Sequence, residues 1–151
     1  MNNVKITKIS IIIFLTFICI TCKKEPSENF PYAQVSLSIN LITNPIGIGT
    51  AIGCPNSANL CTIGAAGKGI LIYNSDGITY IAYAALCTNF PKDTSAVELN
   101  STLGGDEAQC PKCKSRFLLT DGSVLNGPAK YPLKQYSVSD YNDGTSLLIQ
   151  N

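Results

Sequence analysis

The stretch "QCPKCKSRFLLTDGSVLNGPAKYPLKQY", residues 109–136, decides how this chain folds. It begins with a Cys-x-x-Cys loop, continues through two short apolar runs around an Asp-Gly turn, and ends in a Gly-Pro loop. Apolar runs on both sides of Asp-Gly are typical of a β-hairpin. A second cysteine loop, Cys87-Thr88-Asn89, lies upstream. Two loops that carry cysteine at close spacing indicate a small metal site.

The rest of the chain shows the same pattern of short strands and tight turns. Strict alternation of apolar and polar residues over 34–42 predicts a half-buried strand. Residues 69–86 and 134–149 each contain two β-rich runs around an Asp-Gly, which predicts two further hairpins. No segment after position 30 has a helical period. The pattern therefore predicts a small all-β domain of six to nine antiparallel strands, packed as a sandwich or a partial barrel.

The composition excludes several classes of function. Of the 151 residues, 45% are hydrophobic and 14% are charged, which favours a folded domain. The formal net charge is +1, and it falls to about −1 from Cys22 onward because Lys5 and Lys8 precede that position. Such a balance predicts no nucleic-acid binding. The chain has no histidine, which excludes a histidine general base, a Ser-His-Asp triad and an imidazole-ligated metal. Nor does it show a nucleophile–base pair, so we expect no enzyme activity from this chain alone.

The first residues have the features of an export signal. Two lysines precede an apolar run of 12 residues, 9–20, which is shorter than the about 20 residues of a membrane-spanning helix. Cys22 ends this region and is followed at once by charge and proline, as in a bacterial lipoprotein signal. We therefore expect a signal peptide at 1–21, a lipidated Cys22 with a tether at 22–33, and a domain at 34–151. An ordinary secretory signal cut nearby is the alternative.

Between residues 34 and 150 the chain resembles the Rieske [2Fe–2S] domain family. That family has a Cys-x-His loop, a Cys-x-x-His loop within "CPCHGSxF", and a tail "DGxxxxGPAxxPLxxY". The resemblance implies a Rieske-like fold with a two-loop tip that binds a cluster. The matching positions are Cys110, Pro111, Ser115, Phe117, Asp121, Gly122, Gly127, Pro128, Ala129, Pro132, Leu133 and Tyr136.

The departures from the family pattern fall on the cluster ligands. Asn89 stands at the first histidine position and Cys113 at the second, and the family's bracing disulfide maps to Lys92 and Lys112. In an intact Rieske site two cysteines hold one iron and two histidines hold the other, and the imidazoles raise the reduction potential. This sequence cannot form that site.

Three states of the altered site remain open. In the first, Cys87, Cys110 and Cys113 hold a [2Fe–2S] cluster, and Asn89, water or a distant cysteine is the fourth ligand. The reduction potential of such a cluster would lie below the Rieske range. Alternatively the same cysteines bind zinc, or two of them form a disulfide after export and no metal binds. Ser115 matches the family serine that hydrogen-bonds a cluster sulfur; without a cluster it is a turn residue.

Cys54 and Cys61 enclose a loop rich in Pro, Asn and Ser, which favours a disulfide between them. The alternative is that one of them is a fourth ligand at the Cys87 site.

Two functional hypotheses follow. The first is a membrane-anchored, exported lipoprotein of the bacterial cell envelope, with a Rieske-type domain of electron-transfer descent whose cluster site is altered. Its partners would be the lipid membrane, through Cys22, and a redox protein. Lys112, Lys114 and Arg116 favour an acidic redox partner, unless they are only a solvated loop rim. The second hypothesis is a non-redox binding or structural lipoprotein that reuses the fold without metal.

Overall fold

The computed structural model describes residues 30–53, 58–89, 94–100, 102, 104–141 and 144–151. In these ranges the chain forms ten β-strands and two short 3₁₀ helices, Ala58–Leu60 and Ala65–Gly67, and it contains no α-helix. The strands are β1 (Ser36–Asn40), β2 (Thr50–Ile52), β3 (Ile70–Asn74), β4 (Tyr80–Ala84), β5 (Glu98–Leu99), β6 (Glu107–Gln109), β7 (Arg116–Leu118), β8 (Val124–Asn126), β9 (Gln135–Tyr141) and β10 (Ser146–Gln150).

The strands form two antiparallel sheets. The larger sheet has the order β1-β10-β9-β4-β3-β2 and the smaller one has the order β5-β6-β7-β8. The predicted all-β, antiparallel class is confirmed. The three expected hairpins are present as β3–β4, β7–β8 and β9–β10. The ten strands exceed the predicted six to nine, because β2, β5 and β6 have only two or three residues and carry no alternating pattern.

Strand β3 separates two hydrophobic cores. All five of its side chains are buried. Ile70 and Ile72 face a core shared with β1, β9 and β10, whereas Leu71 and Tyr73 face a second core that includes residues of the smaller sheet. The second core ends at the cysteine loops, since Cys87 belongs to it. The packing of the two sheets therefore positions the candidate site.

The predicted signal peptide, Cys22 and most of the tether lie outside the described residues. The boundaries 1–21, 22–33 and 34–151 therefore stay predictions. In the part of the chain that the structure describes, no helix is long and apolar enough to cross a membrane.

The β3–β4 turn lies at the end of these strands opposite the cysteine loops, and Asp76 organises it. Its carboxylate accepts hydrogen bonds from the N–H groups of Ile78 and Thr79, at 2.9 and 2.6 Å, and from the Thr79 hydroxyl at 3.0 Å. The hydrogen bonds from the backbone of Thr79 and Ile78 hold the pKa of Asp76 below its ordinary value. The ionised carboxylate therefore stabilises the turn.

We expect Asp76→Ala to lower the melting temperature at pH 7, because three hydrogen bonds to an ionised acceptor are lost. A carboxyl group whose pKa is lowered by folding stabilises the protein above its unfolded pKa, and this contribution disappears as the pH falls through the folded pKa. The difference in melting temperature between wild type and variant should therefore shrink on acidification below pH 3.8. Thermal unfolding at several pH values measures it. Asp76→Asn, which keeps one acceptor oxygen, is the matched control, and a difference that does not change with pH would contradict the assignment.

Candidate metal site

The first cysteine loop begins where β4 ends. After Ala84 the chain stays extended: the Val97 N–H donates to the Ala85 carbonyl at 2.5 Å, and the Cys87 N–H donates to the Ser95 carbonyl at 3.1 Å. These bonds fix the backbone of Cys87, whose side chain is fully buried at the end of the second core. The cysteine is thus held by a strand extension and not by a free loop.

The second cysteine loop is a tight connection between β6 and β7. The Cys110 N–H donates to the Ser115 carbonyl at 2.9 Å, and the Lys114 N–H donates to the Cys110 carbonyl at 3.0 Å. Lys114 has a positive φ of 63°, which turns the chain back toward β7. The two bonds close the loop, so that Cys113 lies near Cys110.

The Gly-Pro loop, residues 127–133, joins both cysteine loops. The Ala129 N–H donates to the buried Ser115 hydroxyl at 3.0 Å. The Thr88 hydroxyl donates to the Tyr131 carbonyl at 2.6 Å, which connects this loop to the first cysteine loop. The Thr88–Tyr131 contact could not be predicted from the sequence, because a threonine beside a cysteine has no preferred partner.

Three sulfur atoms meet where these loops converge. The Sγ atoms of Cys87, Cys110 and Cys113, hereafter the cysteine triangle, all lie within 4.8 Å of one another. The Sγ atoms of Cys87 and Cys113 are 3.5 Å apart, and the Cys113 Sγ lies 3.1 Å from the Ser115 hydroxyl. Among the described residues, no further Cys, Asp or Glu belongs to this group.

The environment affects the thiols unequally. Burial raises the pKa of the Cys87 thiol well above its usual range, although a hydrogen bond from the Asn89 N–H acts against it. Burial also acts to raise the pKa of Cys113. This effect of burial is outweighed by hydrogen bonds to the Cys113 sulfur from the hydroxyl and N–H of Ser115 and from the Cys87 and Cys110 thiols. The pKa of Cys113 therefore lies below its ordinary value. The triangle thus combines a neutral buried thiol with one that ionises more readily.

The structure brings together the three predicted cysteine ligands, Cys87, Cys110 and Cys113, and Ser115, which was predicted to hydrogen-bond a cluster sulfur. Asn89 is half-buried, and its described contact is the one from its backbone N–H to the Cys87 sulfur. A role for its side chain as the fourth ligand stays a prediction.

Of the other cysteines singled out in the sequence, Cys61 is described, and it lies outside the triangle. Cys61 is disulfide-bonded. Its expected partner Cys54 lies outside the described residues, as does Cys22, so the Cys54–Cys61 pairing stays a prediction. A disulfide-bonded Cys61 does not offer a thiolate, which weighs against its use as a fourth ligand.

The basic residues of the second loop have different surroundings. The Arg116 guanidinium forms an ion pair with the Glu107 carboxylate, and its Nε donates at 2.8 Å. Lys112 and Lys114 are exposed on the turn that carries Cys113, whereas Lys92 lies outside the described residues. The guanidinium charge of Arg116 is therefore shared with Glu107, whereas the side chains of Lys112 and Lys114 reach the surface of the tip.

Solved structures similar to this chain include ferredoxins. A chain from a complex of reduced oxygenase and oxidised ferredoxin in carbazole 1,9a-dioxygenase has 21% identity, a TM-score of 0.50, and coverage of 78% of this chain and 94% of that one. The ferredoxin of carbazole 1,9a-dioxygenase from Nocardioides aromaticivorans IC177 has 20% identity, a TM-score of 0.46, and coverage of 79% and 98%. The Sphingomonas yanoikuyae B1 ferredoxin has 20% identity, a TM-score of 0.46, and coverage of 79% and 99%.

The fold is Rieske-like. No family model matches the sequence, and no curated protein matches it. At this level of identity the likeness shows the fold and not the cofactor.

The residues present do not fit a conventional Rieske cluster. Such a cluster needs two imidazoles on one iron, and the chain contains no histidine. The donor set instead consists of three soft sulfur atoms, two of them fully buried. Sulfur donors of this kind select thiophilic metals such as zinc, Cu⁺ or iron.

We expect Gly127→Ala to destabilise the domain by about 3 kcal/mol, as left-handed strain adds to overpacking. Gly127 has a φ of 98°, and an added Cβ would lie 2.5 Å from the Ser115 Cα. Gly144→Ala is the matched control, since Gly144 has a φ of 78° but nothing within 4 Å of the added Cβ. It should cost only about 1–2 kcal/mol. Urea denaturation measures both, and equal losses would show that contact with Ser115 is unimportant.

Proposed function

We propose that this chain is an exported, lipid-anchored protein whose Rieske-like domain, of electron-transfer descent, holds a thiolate-ligated metal centre at its tip. The observation that supports this proposal most directly is the convergence of three thiols within 4.8 Å. They come from two loops that are separated by 20 residues of sequence, 90–109, and are tied together by the Gly-Pro loop. Buried cysteines with a purely structural role need no such convergence.

Electron transfer is the activity that the family resemblance implies for such a centre. A redox metal held by thiolates would exchange electrons with a partner protein that docks at the loop tip. The exposed Lys112 and Lys114 favour a partner with an acidic surface. Electron transfer therefore depends on a bound redox metal, because the chain's own residues supply no redox group other than the thiols.

The first test is the metal content of the full chain after anaerobic purification in detergent. We expect transition metal in the wild type, loss of it in Cys113→Ser, and retention of it in Cys61→Ser. Cys113 is the best site for substitution because it is only partly buried, so its variant should still fold. Circular dichroism checks that both variants are folded. A metal-free wild type with three freely alkylated thiols would reject the proposed centre.

The second test concerns the anchor. Cys22→Ser should move the protein from the membrane fraction to the soluble fraction, because a lipidated cysteine supplies the acyl chains. Mass spectrometry of the mature wild-type chain should show the acyl groups on Cys22. A variant that stays in the membrane fraction, with a wild-type mass that lacks acyl groups, would show that the signal is not a lipoprotein signal.

A metal-free binding module is the second candidate, and one distance favours it. The Cys87 and Cys113 sulfurs are 3.5 Å apart, so a shift of about 1.5 Å brings them to the length of a disulfide bond. In an oxidising compartment, a thiol oxidase or a disulfide-containing partner would take up the two electrons and two protons that this bond releases. Non-reduced peptide mapping detects the bond directly.

A further inference from the structure

The cysteine triangle has the size of a site for one metal ion. An ion bound by thiolates at about 2.3 Å places its sulfur ligands about 4 Å apart, whether the coordination is trigonal or tetrahedral. In the structure every pair of sulfurs lies within 4.8 Å, and the Cys87–Cys113 pair lies at 3.5 Å. Movements of a few tenths of an ångström would place all three around one centre.

A two-iron cluster divides the same residues differently. It takes its protein ligands in pairs, two on each iron. The Rieske resemblance would assign Cys87 and Cys110 to one iron, and Cys113 with Asn89 to the other. The structure instead brings the sulfurs of Cys87 and Cys113 into contact, across that division. A cluster would have to separate these two sulfurs, against the Thr88–Tyr131 and Ala129–Ser115 hydrogen bonds that tie both cysteine loops to the Gly-Pro loop.

The loop contacts prepare the site before any ion binds. The Ser115 hydroxyl and the N–H groups of Ser115 and Asn89 point at sulfur atoms, so each stabilises negative charge on a ligand. The neighbouring Gly-Pro loop fixes Ser115 through Ala129. A site with ligands already in place favours an ion that accepts three sulfurs over a cluster that needs rearrangement.

We infer that the cysteine triangle binds one soft d¹⁰ cation, Cu⁺ or Zn²⁺, in place of a two-iron cluster. This inference rests on the proposed metal centre and names its occupant. Soft thiolate ligands select both ions, and neither ion needs a histidine. Cu⁺ is satisfied by the three sulfurs, whereas Zn²⁺ takes a fourth ligand, for which solvent or the half-buried Asn89 is at hand. Binding exchanges each thiol proton for a bond to the ion, and no electron is transferred.

The test is the stoichiometry of the full chain, purified anaerobically in detergent. Elemental analysis should find one copper or zinc ion per chain and no acid-labile sulfide, and it identifies which ion is native. After removal of this metal by a chelator, separate titrations with Cu⁺ and with Zn²⁺ should show at least one ion saturating at one equivalent. Each bound ion should protect three thiols from alkylation. Loss of one sulfur in Cys113→Ser should weaken binding by more than about 100-fold.

Two controls keep the test decisive. Cys61→Ser should bind the ion as wild type does, because Cys61 lies outside the triangle. The melting temperature should rise on addition of the ion in the wild type but not in Cys113→Ser, which separates loss of the site from loss of folding. Two irons with two sulfides per chain would overturn the one-ion inference while leaving the proposed metal centre in place. A metal-free protein that also fails to bind either ion after reduction would overturn both.

Discussion

The buried Ser115 hydroxyl is the contact on which the arrangement of the tip depends. It accepts a hydrogen bond from the Ala129 N–H at 3.0 Å and lies 3.1 Å from the Cys113 sulfur. The backbone carbonyl of the same residue closes the second cysteine loop through Cys110. One residue therefore links a sulfur atom, a turn and the Gly-Pro loop. A buried N–H without an acceptor costs about 1–3 kcal/mol, so the Ala129–Ser115 hydrogen bond opposes movement of the Gly-Pro loop away from the tip.

The sequence predicts the hairpins well because their signals are local. Asp-Gly turns between β-rich runs are sufficient to place β3–β4 and β9–β10, and the Asp76 carboxylate shows why such a turn is stable. Short strands such as β5 and β6 escape prediction, since two or three residues are too few for an alternating pattern to show. Their pairing depends on the neighbouring strands, which is information that a linear pattern does not contain.

The site is predictable in its members but not in its geometry. Resemblance to a family places Cys87, Cys110, Cys113 and Ser115 at one tip, and the structure shows how close they lie. The sulfur–sulfur distances depend on how far each ligand atom stands from the backbone. A cysteine carries its sulfur one bond nearer to the backbone than the Nδ1 atom of a histidine and two bonds nearer than the Nε2 atom. A cysteine at a histidine position, such as Cys113, therefore changes the shape of the site as well as its donor. The spacing of cysteines in the sequence does not predict that change in shape.

The surroundings of the triangle also affect whether its thiols are protonated and how the charge of a bound ion would be balanced. Two of the three thiols are fully buried, and burial raises the pKa of Cys87, so in the absence of a cation this thiol keeps its proton. A bound cation would offset part of the charge of the three thiolates, leaving a net charge of −2 with Cu⁺ or −1 with Zn²⁺. The hydrogen bonds from Ser115 and Asn89 to the sulfur atoms would stabilise the charge that remains. Arg116 is paired with Glu107, and Lys112 and Lys114 are exposed on the same loop as Cys113, so basic side chains at the tip would offset further negative charge of a thiolate site. An ion bound at the triangle would hold cysteines from two loops that the Gly-Pro loop already ties together, so metal binding and closure of the three loops would stabilise each other.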